Sequence, residues 1–410
     1  MKSVGLFLIM VTLICTCTAC DKCCQSQKKA AQLAEIPVPC SSSDWVKRGV
    51  VLAQTEPWEQ YYIQNFSSPA EPLAEGRWRI WFCGGDPMTV AFAEGIPGVK
   101  MIKQPAVLST GEPEDAPLAI GNLPEGWRPT QPVHIKLKDG RDRLYFWAHC
   151  PSKGIVRYLA ADSTDGRRYR VVDPCRPCLY HPHDRAVEFV GTTSAGLKLP
   201  FRGKKSIVRP EHEPAALPEL ICNDATTVYQ LPDGTFELYT ATPLTVEETD
   251  YRWSYSDPGF IRVIDRLISK DGLNWTGRQR VLEPDANDPR DLQFYYLAVT
   301  YTPKGRVGML GHYRERDQTM DIEWCFSKDG ISWVRPYRRP WLERGWPERD
   351  IDSFGIYSSA SIVFHNDKWW LFYSANNDSH NEKLFHGKKR QSAVMLAEAK
   401  SIWADKSIGN

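Results

Sequence analysis

An excess of charge of one sign is missing from this sequence. Its 410 residues carry 51 Lys plus Arg against 50 Asp plus Glu, a formal net charge of +1. That balance excludes the broad basic field that nucleic acid demands, and no nucleic-acid partner is expected. Long apolar runs are missing too. The run at residues 4–14 falls short of the ~20 residues that a spanning helix needs. Helical periodicity is scarce. Gly-rich phosphate loops, nucleophile elbows and nucleotide fingerprints are absent, so no cofactor is expected. Metal-ligand patterns are thin. Cys175 and Cys178 form a CRPC with no second CxxC, and the HPHD at residues 181–184 has no second cluster beside it. No metal site is expected.

At the N-terminus, Lys2 precedes the apolar run, the pattern of a secretion signal over residues 1–19. The CTAC that follows resembles a bacterial lipobox with Cys20 as the lipidated residue, although Cys17 stands where Leu or Val is usual. Export is the expectation. The protein is either a lipoprotein anchored to a membrane surface through Cys20 or a plain periplasmic or secreted protein. Residues 20–43 are polar and Pro-containing and read as a flexible linker. That leaves residues 44–410 for a single domain.

Within that domain one phrase recurs. Residues 269–275 read SKDGLNW and residues 327–333 read SKDGISW; a weaker copy, STDGRRY, stands at residues 163–169. Asp and Gly supply turn chemistry, and each copy lies between an apolar strand-like run and a polar one. Two more short runs precede each copy, for example TTVYQL and FELYTAT, or YYLAVTY and RVGMLGHY. Short strands at this spacing indicate consecutive antiparallel sheets. Five units are counted, centred near residues 65–110, 130–175, 222–284, 291–345 and 355–400. The expected fold is all-β, a five-bladed β-propeller. The fifth unit ends one strand short. Residues 44–53, DWVKRGVVLA, resemble an outer strand and are expected to pair beside residues 393–400, closing the ring. The Pro-, Gly- and His-rich stretch at residues 180–220 reads as a long loop over one face.

The phrases VRYLAADSTDG, IRVIDRLISKDGLNW, DPRDLQFYYLAVTY, EWCFSKDGISWVRP and YSSASIVFHNDKWWLFYSA resemble the five-bladed propeller glycoside hydrolases, of the arabinanase and xylosidase and the levanase and invertase types. The resemblance covers about residues 44–400 and is nearest to secreted bacterial members. It implies a carbohydrate ligand in a funnel, with acids at the starts of the first strands. Cleavage generally takes two carboxyl groups. Asp224 in CNDATTVY and Asp291 in NDPRDLQFYY are the leading catalytic candidates, with Glu59 in EPWEQYY third. Trp58 beside it offers an aromatic face to a sugar. In unit two Gln131 stands where the family carries an acid. His149, His312, Arg157, Arg262 and Tyr357 are the expected substrate-binding residues. The leading expectation is therefore an exported glycoside hydrolase-like protein that processes a glycan. Its rival is a carbohydrate-binding propeller without turnover, a reading that Gln131 favours. A scaffold for protein partners ranks third.

Overall fold

The three Ser-x-Asp-Gly phrases fold into one and the same turn. The computed structural model, which describes residues 36–184, 218–246, 260–381 and 390–404, places each between the third and fourth strands of its unit. The Ser Oγ accepts the Gly N–H: Ser163 from Gly166 at 3.0 Å, Ser269 from Gly272 at 2.9 Å and Ser327 from Gly330 at 2.8 Å. The Asp Oδ1 accepts the next two N–H groups, at 2.7 to 2.9 Å in all three copies. Side chains thus satisfy backbone donors that no ladder reaches. Burial on its own would raise the three carboxyls, but these donors outweigh it and hold Asp165, Asp271 and Asp329 low, with Asp271 at about 2.

The glycine is there for contact as well as conformation. Gly272 and Gly330 have φ of +72° and +79°, and a Cβ on either would lie 2.5 Å from a tyrosine hydroxyl of the preceding unit. Those hydroxyls, on Tyr145 and Tyr239, donate to the carbonyls of Gly272 and Gly330 at 2.9 and 3.3 Å. Each turn is therefore stapled to its neighbour. Gly330→Ala is expected to cost about 2 kcal/mol or more, from overpacking and left-handed strain together. Urea denaturation followed by Trp fluorescence checks this, and an unchanged midpoint would count against the staple.

Strand order repeats as the turns do. Unit one runs Ile63–Gln64, Trp78–Gly85, Met88–Ile96, Lys100–Pro105; unit two runs Arg128–Lys136, Asp142–Cys150, Ile155–Ser163, Arg168–Val171. Unit three is Thr227–Gln230, Phe236–Thr245, Phe260–Ser269, Thr276–Leu282, and unit four is Leu292–Thr302, Gly305–Arg314, Thr319–Ser327, Pro340–Leu342. Unit five is Gly355–Ser358, Lys368–Asn376 and Ser392–Ala399, followed outward by Val46–Ala53. That last pairing is antiparallel, from Val46 opposite Glu398 to Ala53 opposite Ala393. Units four and five join into one sheet through a single parallel bridge, Met320 to Gly355. Among the described residues the helical segments are three short 3-10 turns. The stretch read as a long loop falls mostly outside them, at residues 185–217.

The apolar core lies in seams between units. Trp81 and Phe92 of unit one pack with Leu144 and Phe146 of unit two; Tyr145 and Trp147 of unit two pack with Leu238 and Leu267 of unit three. Ile264 of unit three packs with Phe294 and Leu310 of unit four. Phe372 and Val394 of unit five pack with Ile80 and Phe82 of unit one. Both faces of most strands are thus buried, which explains near-continuous apolar runs such as LYFWA rather than clean alternation.

One seam carries a titrating group. His134 of unit two stacks on Trp81 of unit one, 4.9 Å between centroids. Its ring nitrogens lie 2.5 Å from Glu71 and 3.0 Å from Asp142. Burial is the largest influence and disfavours the imidazolium, yet Glu71 and then Asp142 outweigh it and the pKa is raised. A raised folded pKa gives stability that is full below the unfolded value of about 6.5 and is lost as pH rises through the folded value. The Tm advantage of the native protein over His134→Gln is therefore expected to shrink as pH rises above about 6.5. Thermal melts across that range check it; a pH-independent gap would show that the charge contributes nothing.

Candidate functional site

At one end of the sheets, each of the five units brings one residue to a common cavity from its first strand or just before it. These are Tyr62, Gln131, Asp224, Tyr295 and Tyr357, and they line a cavity of about 160 Å³. Tyr62, His380 and Arg390 also line a wider cavity of about 870 Å³, so the small chamber lies beneath a broad mouth. Arg128, Arg262, Tyr313 and Asp86 are among the residues around that mouth.

Local backbone geometry places the floor. Val133 faces Tyr145 while Thr130 faces Trp147, so Gln131 and Pro132 together oppose a single residue, a bulge. Gln131 has φ +53° and Ala225 has φ +59°. Bulges and left-handed residues of this kind re-aim side chains. Here the Gln131 amide points across to unit three. Its Oε1 accepts the Ala225 N–H at 2.9 Å and its Nε2 lies 3.4 Å from Asp224 Oδ2. The position where an acid was expected thus holds a neutral clamp on one. Unit one supplies a flat wall by having no side chains: a Cβ on Gly85 would lie 2.4 Å from the Tyr62 ring, and one on Gly84 would lie 2.5 Å from Trp58.

Asp224 is half-buried, and it is the carboxyl of the inner chamber among the described residues. Burial raises its pKa, opposed chiefly by the positive charge of Arg262. Around it stand aromatic rings. Tyr295 lies 4.7 Å from His380 and 6.3 Å from Phe66, and Tyr313 lies 4.9 Å from His380. Tyr357 Oη is 2.8 Å from His380 Nδ1. Burial, then Arg262 and Arg390, push His380 down to about 3, so its ring is neutral at ordinary pH. Such a chamber offers flat apolar faces, hydroxyls and, among the described residues, one carboxyl whose pKa is raised.

Of the residues singled out from sequence, Asp224, Gln131 and Tyr357 line the inner chamber and Arg262 lines the mouth. The other described ones line neither cavity, and most of them are held by a partner. Asp291 accepts two bonds from Arg314, at 2.9 and 2.7 Å. Glu59 is fully buried, with Lys103 Nζ 2.7 Å from both oxygens and the N–H groups of Thr55 and Glu56 on Oε2. Trp58 stacks on Phe82 at 5.8 Å. His312 meets Glu323 at 2.9 Å, and Arg335 ties Glu323 to Asp288. Arg157 is fully buried and donates to Asp184 at 3.0 Å. His149 is driven down to about 4, by burial first and then by His183. Cys20 falls outside the described residues.

Sequence reasoning missed Tyr62, Arg128, Tyr295, Tyr313, His380 and Arg390. Tyr62 and Tyr313 had a usable signal, since each adjoins an edge of a first or second strand at the same end as Asp224. His380 and Arg390 sit between the second and third strands of unit five, in the polar stretch around residues 376–392, where no periodicity marks direction.

No known protein-family profile matches the chain, and no curated protein sequence matches it. Solved structures do. A glycoside hydrolase matches over 93% of this chain and 97% of its own, with 14% identity and a TM-score of 0.54. An N-acetylgalactosamine deacetylase from F. plautii, solved with a blood group B trisaccharide, matches over 87% and 95%, with 16% identity and a TM-score of 0.54. A thermostable family-43 glycoside hydrolase matches over 81% and 88%, with 11% identity and a TM-score of 0.51. At such identities the likeness is one of architecture, and the chain shares the all-β, propeller-like fold of these solved structures.

Proposed function

We propose that this chain is a glycan-processing propeller of five four-strand blades, its ring closed by Val46–Ala53, in which Asp224 donates a proton to a glycosidic oxygen. The observation that carries the reading is the position of Asp224. It is a carboxyl with a raised pKa on the floor of a chamber to which every unit contributes. A raised carboxyl pKa favours the protonated form that general acid chemistry needs. Tyr295, Tyr357 and Tyr62 supply ring faces against which a sugar packs, and Gln131 fixes the acid's orientation.

A second reading has its own support. Asp224 is the one carboxyl of the inner chamber among the described residues, whereas glycosidic cleavage generally uses two. A chamber with one acid suits binding without turnover. The deciding experiment incubates the chain, expressed from about residue 25, with a broad panel of glycosides and polysaccharides. Released reducing ends are counted alongside binding. Release favours the hydrolase; binding without release favours the lectin-like reading; the absence of both overturns the two readings together.

The same reading keeps the protein exported, with residues 1–19 removed, residues 20–43 as a tether and residues 44–410 as the working domain. Lipid on Cys20 is expected, and mass spectrometry of the mature N-terminus from a bacterial host checks it.

A further inference from the structure

We propose that the end of the domain opposite the chamber rests on a lipid bilayer, so that the chamber opens away from the membrane; this rests on the export reading above. Strand direction sets the two ends apart. Each chamber residue from the five units lies in a first strand or just before it. Second strands run antiparallel to first ones, and third strands antiparallel to second ones, in every unit. Third strands therefore end away from the chamber, and the Asp-Gly turns of units two, three and four follow those ends. The chain enters the domain beside one of these turns. Pro39 bridges Trp403, whose ring lies 6.4 Å from Phe326, the residue before Ser327 of the unit-four turn. The Cys40 N–H donates to the Ile402 carbonyl at 3.0 Å. The segment that carries Cys20 thus joins the domain at its turn end.

Side chains at the turn end differ from unit to unit. Units two and three present polar tips, with Asp139, Asp165, Asp233 and Asp271 exposed. Among the described residues none of those tips exposes a large apolar side chain. Units one, four and five do. Val99 is 79% exposed between the third and fourth strands of unit one, and Ile96 is exposed three residues before it. Phe364 is 56% exposed in the hairpin of unit five that joins Val363–His365 to Lys368–Asn376. Ile331 is exposed within the unit-four turn. These three units are neighbours. Units four and five share the Met320–Gly355 bridge, and His365 of the unit-five hairpin meets Trp78 of unit one edge-on at 5.4 Å. The sector with apolar tips is thus the sector where the chain enters.

Single exposed apolar residues are ordinary, whereas several at one end, around the point of attachment, indicate a contact surface. Lysines stand among them. Lys100 follows Val99, Lys368 pairs with His365 in the Phe364 hairpin, and Lys304 lies over the Trp403 ring at 4.8 Å. Asp329 and Asp367 are exposed there too, so this is a mixed surface and not a basic field. Its chemistry matches the interfacial zone of a bilayer. Apolar side chains enter the acyl boundary there, while lysine stems carry their ammonium groups back to the headgroups. Apolar groups held on separate hairpin tips also suit a deformable lipid surface better than a rigid protein face, which needs continuous shape complementarity.

Vesicle sedimentation tests this. The chain is expressed from about residue 25, which keeps every described residue and leaves out Cys20, so that no lipid anchor contributes. It is mixed with vesicles of phosphatidylethanolamine and phosphatidylglycerol at about 1 mM lipid. The native chain is compared with the double variant Val99→Ser, Phe364→Ser, and with Tyr61→Ser, which alters an aromatic residue 55% exposed at the mouth. All three positions are exposed, and equal thermal melts confirm that the variants fold. Partitioning onto vesicles that falls about tenfold in the double variant and is unchanged in Tyr61→Ser supports the inference. A fall in Tyr61→Ser alone places the membrane at the chamber end and overturns it. No sedimentation of the native chain overturns it as well; if size-exclusion chromatography then shows a dimer that the double variant lacks, the tips join two copies instead. The export reading stands or falls separately, on the mass of the mature N-terminus, because the vesicle experiment does not use the lipid on Cys20.

Discussion

Asp224→Asn is expected to lower sugar release by about 10²- to 10⁴-fold while changing affinity for the same glycan by less than about tenfold. The amide keeps the volume and can still meet the Gln131 side chain, so the floor keeps its shape. What it loses is the exchangeable acid proton. The split between rate and affinity is the informative part. A purely structural Asp224 would lower rate, affinity and Tm together. Gln131→Glu sharpens the point. It sets a second carboxyl near Asp224, at the place of an amide now 3.4 Å away, and like charges that close cannot both ionise. The alkaline limb of the rate profile, set by deprotonation of the acid, should then move to higher pH. Steady-state rates across pH for the three proteins, with tryptophan fluorescence for binding, provide the check. An Asp224→Asn protein with undiminished release would discard the assignment.

A chain beginning at residue 54 is expected to be recovered as aggregate, whereas one beginning at residue 40 stays soluble and monomeric. The difference is one strand. Val46–Ala53 covers Ser392–Ala399, every residue of which is buried. Leu52, 2% exposed, fills a cluster with Phe372, Val394 and Leu396. Removing it leaves an open apolar edge of eight residues, the kind of edge that recruits other chains. The shorter chain also loses the Cys40 N–H bond to Ile402 and the Trp45–Trp341 ring contact at 5.2 Å. The combined loss is about 5 kcal/mol or more, on the order of a domain's whole net stability. Size-exclusion chromatography of the two proteins decides it. A soluble, cooperatively melting short chain would mean that the strand is ornamental.

The strands were legible because their signals are local. Alternating runs and Asp-Gly turns report on neighbours within a few residues, and the turn phrase turned up with the same hydrogen bonds in all three copies. The partner of Val46–Ala53 was readable for a different reason: a unit one strand short needs a donor. Site residues were harder. Asp224 could be placed because it stands a few residues before a clean apolar strand. Asp291 has the same sequence setting, yet Arg314 on the adjacent strand of its own unit captures it. Glu59 looked like a funnel acid beside an aromatic phrase, but Lys103, far along the chain, neutralises it inside the protein. Ion-pair partners are set by cross-strand register and packing, and register is not written in any one segment. His380 and Arg390 went unseen because side chains on loops take their direction from the sheets they cross.

The pairing of the first strand with the last also bears on how the molecule comes to exist. Arg48 meets Glu398, 350 positions further along the chain, so the sheet that contains both cannot be completed until nearly the entire chain is available. Contacts of such long sequence separation form late and slowly, after the entropy of closing the loop has been overcome. Units one to four can begin to assemble as they emerge, the turns of units three and four docking on Tyr145 and Tyr239, while the strip at Ser392–Ala399 waits for a partner made first and used last. Until then the nascent protein carries an exposed edge, and its yield in a cell depends on what shields that edge during the interval.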